Sequence, residues 1–150
     1  MANAIVTKEC LEILGTISRN PHSGLVNLPD ALWRTLCADR HNRMEHAPSF
    51  YQLAMFHLLQ ISSKAPEADE SHILFEHMYS IDIEELLETE LPDYVKRYLQ
   101  VVRDVIWNRR TFRSKANSRN KSTLVGLVPQ SSKMGDNLCV LYGCSVPMVL

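Results

Sequence analysis

Apolar and polar positions follow two different rhythms along this chain. Up to about Arg109 the spacing is helical, and beyond Leu124 it breaks into short apolar runs cut by turn residues. Val6, Cys10, Ile13, Leu14 and Ile17 recur at i, i+4, i+7, i+8 and i+11, the apolar stripe of an amphipathic helix. Asn20-Pro21 and Ser23-Gly24 end that helix. Pro29-Asp30 open a second one, with proline in the first turn, where its missing N–H costs nothing. Leu32 and Leu36 share its inner face, with Trp33 and Cys37 beside them. Ala47-Pro48-Ser49 breaks the chain again, and Ser49 with Gln52 fits a capping box. The run FYQLAMFHLLQI that follows is apolar nearly all round and predicts a buried central helix.

A loop over Ser62–Asp69 leads into an acidic segment, where Asp82 and Glu85 form a second capping-box pair. Pro92 restarts a helix whose inward face is Val95, Tyr98, Leu99, Val102 and Ile106, with Asp93 and Arg97 as i, i+4 neighbours on the wet side. A strand is expected near Arg110–Lys115, then a mobile basic loop over 116–122. Three apolar runs close the chain. Leu124–Val128 is bounded by Pro129, Leu138–Tyr142 lies between Gly135-Asp136 and Gly143, and Val146–Leu150 comes last. These patterns predict an α+β fold in a single domain, 1–150. About five helices over 1–109 precede a small antiparallel sheet of about three or four strands over 110–150.

Composition narrows the class. Apolar residues make up 45% and charged residues 22%, the balance of a globular chain. The formal charge of −1 gives no global attraction to nucleic acid or acidic membranes. No apolar run is long enough for a membrane span, and Lys8 and Glu9 interrupt the N-terminal apolar stretch, so a cytoplasmic protein is expected. In that compartment Cys10, Cys37, Cys139 and Cys144 read as free thiols.

Local charge is far from even. Glu67–Asp93 carries ten carboxylates and no Lys or Arg. Arg109, Arg110, Arg113, Lys115, Arg119, Lys121 and Lys133 then occur with no acid between Asp104 and Asp136. The simplest account is that the basic segment pairs with the acidic one, on the same chain or on a partner, and so steers docking.

Catalytic and ligand-binding patterns are sparse. His41/His46 and His72/His77 are five apart, which turns each pair off a common helical face, and metal ligation on a helix needs i, i+4. His57, in the most apolar helix, reads as a satisfied core histidine. Cys139 and Cys144 span a predicted turn without the further ligands zinc requires. No glycine-framed nucleophile turn and no glycine-rich phosphate loop occurs. The reading is non-enzymatic, with no catalytic, cofactor-binding or metal residue. Asn120-Lys121-Ser122 fits a glycosylation sequon by chance. The basic segment contains only Phe112 as an aromatic, short of the stacking platform of a single-strand binder.

Two stretches carry a family resemblance. ALWRTLCADR (Ala31–Arg40) resembles the segment downstream of the HET domain in fungal heterokaryon-incompatibility proteins. Arg109-Arg110, Phe112, Gly126-Leu127, Pro129, Gly135-Asp136, Leu138-Cys139-Val140-Leu141, Gly143, Pro147 and Val149-Leu150 resemble, in order, the end region of the same proteins. Val128 stands where that family usually has a second glycine. The HET domain's own segments are not in the chain. The resemblance implies the C-terminal companion region, clipped at its last strands, with no catalytic residue carried over.

A clipped sheet leaves an apolar edge that can template another chain. The leading reading is an interaction module that binds a HET-family relative or itself, in nonself recognition and cell-death control. Its candidate partner-binding residues are Arg109, Arg110, Arg113, Lys115, Arg119, Lys121 and Val149. The alternatives are an orphaned gene fragment without activity, or weak nucleic-acid binding through 109–121.

Overall fold

A computed structural model describes residues 4–14, 18–19, 26–41, 45–62, 80–115, 123–139 and 148–150. Five helices lie among them: α1 (Lys8–Leu14), α2 (Asp30–Leu36), α3 (Phe50–Ser62), α4 (Ile83–Leu87) and α5 (Asp93–Ile106). The strands are β1 (Ile5–Val6), β2 (Ser18–Arg19), β3 (Val26–Asn27), β4 (Ile81–Asp82), β5 (Arg109–Arg113), β6 (Val125–Pro129), β7 (Leu138–Cys139) and β8 (Met148–Val149).

The α+β class holds, but the strands are arranged differently from the expectation. They pair as four antiparallel two-stranded ladders, β1–β4, β2–β3, β5–β6 and β7–β8. Two ladders therefore lie in the part expected to be only helical. Each is two residues long, too short for period-two alternation to register in the sequence. The C-terminal strands form two separate ladders among the described residues, not one sheet of three or four strands. The chain turns sharply after β6, where Ser132 N–H donates to the Pro129 carbonyl at 3.0 Å.

The core sits between α3 and α5, with α2, α1 and the β1–β4 ladder closing it. Tyr98 is fully buried there, and its hydroxyl donates to the Trp33 carbonyl at 3.1 Å. Its ring lies 5.0 Å from that of Tyr51, and Met55 Sδ is 3.7 Å from its oxygen. Val95, Leu99 and Val102 complete the buried face predicted for α5, with Ile106 packed at its margin. A small void of about 10 Å³ remains among Val6, Leu36, Met55, Ile83, Tyr98, Val102 and their neighbours. Apolar side chains surround it, and it is too small to hold more than a water molecule.

Several local expectations shift. Helix α1 is shorter than its apolar stripe, because Val6 is used in β1, and Ile17 lies outside the described residues. Thr7 Oγ1 accepts from Cys10 N–H and starts the helix. Gln52 does not close a capping box with Ser49. Its side-chain amide instead donates to the Leu28 carbonyl at 3.2 Å. Asp82 caps α4, accepting from Glu84 and Glu85 N–H, which is the aspartate's half of the expected capping box. Asp93 and Arg97 are not among the ion pairs between described residues.

Helix α3 is not buried all round. Tyr51, Ala54, Met55, Leu58 and Leu59 face the core, while Phe50, Leu53 and Ile61 remain exposed. His57 is half-buried and bonded at Nδ1 to the Tyr94 hydroxyl at 3.1 Å, so it is satisfied at the margin of the core.

Candidate interaction surface

The basic residues are organised by the β5–β6 hairpin, whose register pairs Arg109 with Pro129, Thr111 with Leu127 and Arg113 with Val125. Helix α5 ends at Trp107, whose N–H still donates to the Arg103 carbonyl. Asn108 then takes a left-handed φ of 55°, a conformation asparagine tolerates better than most residues, and the chain folds back into β5.

Strand pleating sends alternate residues of β5 to opposite sides. Thr111 and Arg113 face α1. The Thr111 hydroxyl bonds the Cys10 thiol, and Arg113 Nη2 donates to the carbonyls of Glu12 at 3.2 Å and Ile13 at 2.7 Å. A cation is thus held on the negative end of α1. Burial pushes the Cys10 thiol up to about 11, only partly offset by the Thr111 bond. On the other side, Arg110 Nη1 donates to the Ser132 carbonyl at 3.1 Å. Phe112 lies against Gly126, where an added Cβ would stand 2.8 Å from the ring's Cε1. Glycine is required for that close approach.

These contacts fix the hairpin and leave its near end in solvent. Trp107 is 47% exposed, beside exposed Arg109 and Arg110. Lys115 and Lys133 are exposed as well. Of the residues singled out from the sequence, Arg109, Arg110, Arg113 and Lys115 share this hairpin. Arg113 is committed to α1, so it is a positioning residue for the surface. Arg119 and Lys121 lie outside the described residues. Val149 is half-buried on a different ladder, paired with Leu138. Asn137 and Leu150 exchange backbone hydrogen bonds at the end of that ladder, so this side of the last strand is paired, not open.

Trp107 escaped the sequence reading. The signal was available: it follows Ile106 directly, off the inward stripe of α5, and it precedes the first arginine of the basic run.

No ion pair among the described residues joins the basic hairpin to the acidic segment. The pairs that form are Arg34 with Asp30 and Asp39, His46 with Asp39, and Arg103 with Asp104. Among the described residues, the basic hairpin and the Ser80–Asp93 acids make no ion pair with each other.

The residues behind the first half of the family resemblance form a separate cluster. Arg34 Nε meets Asp30 at 3.4 Å, Nη1 meets Asp39 at 2.5 Å, and the guanidinium lies 4.3 Å from the Trp33 ring centroid. Trp33 Nε1 donates to Asp30 at 3.1 Å. Asp39 N–H donates to the Arg34 carbonyl and Ala38 N–H to that of Thr35. That is the Schellman pattern of a helix end, with Ala38 and Asp39 both at φ 52°. Slight burial raises the Asp39 carboxyl, but its bonds to Arg34 and His46 win and hold it below the usual carboxylate range. His41 turns instead to the Tyr51 hydroxyl, 2.6 Å from its Nδ1, so the two histidines serve different partners. Every polar group named in this cluster bonds within the chain and ends α2.

Among the described residues, no group of three or more His, Cys, Asp or Glu side chains is placed to hold a metal ion. Nor is any of their helices long and apolar enough to cross a membrane. No protein-family model, no curated protein and no solved structure matches the chain.

Proposed function

We propose that this chain is a non-enzymatic protein-interaction module, docking through the exposed end of the β5–β6 hairpin at Trp107, with Arg109 and Arg110 on opposite sides of the strand. The observation that carries the reading is a tryptophan left 47% exposed next to two exposed arginines, on a hairpin tied to the helical body. Tryptophan and arginine are among the residues most enriched at binding hot spots. A rigid support lowers the entropy lost on docking. The resemblance to the C-terminal region of fungal heterokaryon-incompatibility proteins supplies the setting, nonself recognition and cell-death control. Its partner is a HET-family relative or a second copy.

The test is co-purification with full-length HET-domain proteins, together with light scattering of the protein alone. Wild type is compared with Trp107→Ala and Arg110→Glu, each checked for a cooperative thermal transition. Loss of binding in folded variants supports the reading. Equal binding by wild type and variants, or none by wild type with itself or with any relative, overturns it. A cooperative transition in wild type also counts against an inert gene fragment. For nucleic acid, salt-dependent retention of an oligonucleotide on a filter is the deciding observation. Phe112 packs one edge of its ring against Gly126.

A further inference from the structure

Two exposed patches of opposite sign sit at opposite ends of α5. At its N-terminal end, Glu84, Glu85, Glu88, Glu90 and Asp93 are all exposed, and no Lys or Arg lies between Ser80 and Asp93. Asp82 is excluded from this patch because it caps α4. At the C-terminal end, Arg109, Arg110, Lys115 and Lys133 are exposed on or beside the hairpin.

Helix α5 is 14 residues long. At a rise of about 1.5 Å per residue, its ends are roughly 20 Å apart. The Debye length at physiological salt is about 8 Å, so the two patches barely sense each other within one chain. The macrodipole of α5 favours acids at its start and bases at its end, but that effect fades within a turn. It accounts for Asp93, and the start of α4 accounts for Glu84 and Glu85, but neither accounts for Glu88 and Glu90, which lie at and beyond the end of α4.

We propose that the basic hairpin takes as its partner the acidic α4–α5 corner of a second copy of this chain. This rests on the docking surface argued above and names its occupant. Each copy carries both halves of the contact, and neither half is used up by an ion pair among the described residues. Trp107 lies at the edge of the basic half and gives the contact an apolar anchor.

Sedimentation velocity of the full chain at varied salt tests this. Association is expected at about 0.01 M salt, where the Debye length is about 30 Å, and is lost at about 1 M, where it is about 3 Å. Arg109→Glu with Arg110→Glu, and separately Glu88→Lys with Glu90→Lys, each weaken association by at least about tenfold. Mixing the two variants restores it, because each offers the patch the other lacks. The neutral pair Arg109→Gln with Arg110→Gln also weakens association, which covers misfolding of the reversed form. A wild type monomeric at low salt, or a mixture that fails to associate, overturns the proposal. If a HET-domain relative still binds in a Trp107-dependent way, the docking surface stands and only its occupant is wrong.

Discussion

Arg113 reaches back 100 residues to bond the carbonyl of Ile13 at 2.7 Å, and the same Nη2 also serves Glu12. One side chain of the basic strand thus closes the negative end of the first helix and holds the hairpin in place. Arg113→Met removes the donor and the charge while keeping much of the stem. It is expected to lower stability by about 1 kcal/mol, the range of a helix-end charge with its hydrogen bonds near solvent. Arg113→Lys recovers part of this, since one ammonium cannot reproduce the guanidinium's planar geometry. Urea denaturation of the three proteins checks the order.

Ala38 occupies the helix-ending position that glycine usually fills, at φ 52°. A left-handed conformation costs an L-residue about 1–2 kcal/mol. Part of that is returned through glycine's freer unfolded state. Ala38→Gly is therefore expected to stabilise the fold by about 0.5–1 kcal/mol, and Ala38→Val to destabilise it. A higher urea midpoint for the glycine variant is the expected result. A lower one would show that the strain is relieved by contacts the cap does not explain.

The fully buried Tyr98 hydroxyl serves the Trp33 carbonyl. Tyr98→Phe leaves that carbonyl without its donor and is expected to cost about 1–3 kcal/mol. Burial pushes the Tyr98 phenol well above its usual range. The Cys10 thiol, normally near 9, is raised to about 11. Both groups hold their protons more tightly when folded. Their contribution is complete below the unfolded values and is lost as pH rises through the folded ones. Stability should fall between about pH 9 and 11 from Cys10 and continue to fall above pH 10 from Tyr98. Cys10→Ala should flatten the first part of that decline and Tyr98→Phe the second.

Gly126 lies under the Phe112 ring with no room for a methyl group. Gly126→Ala should cost about 1 kcal/mol through displacement of the ring, near the lower end of overpacking penalties. Replacing Phe112 with Leu in the same chain should recover part of the loss, measured as a double-mutant cycle.

Much of this arrangement could be read from spacing. The inward faces of α2 and α5 follow their apolar periodicity, because a stripe wide enough to cover a core repeats over several turns. Strands β5 and β6 also fall where their runs suggest. What was hidden had local causes. Strands β1 and β4 are two residues each and owe their pairing to distant neighbours. The outer row of α3, Phe50, Leu53 and Ile61, is as apolar as its inner one, so composition could not tell which side faces water. The end of α2 lacks the glycine that usually marks such a cap. The basic patch was legible as charge, but the partners of its arginines, α1 carbonyls for Arg113 and the Ser132 carbonyl for Arg110, depend on the tertiary fold.

The pairing of Ile5 with Asp82 has a consequence for synthesis. The first strand leaves the ribosome long before its mate exists, and Ile83 N–H then closes on the Ala4 carbonyl. The nascent chain must therefore carry β1 unpaired while everything between Val6 and Ile81 is made. Until then β1 is an open edge that a chaperone can hold.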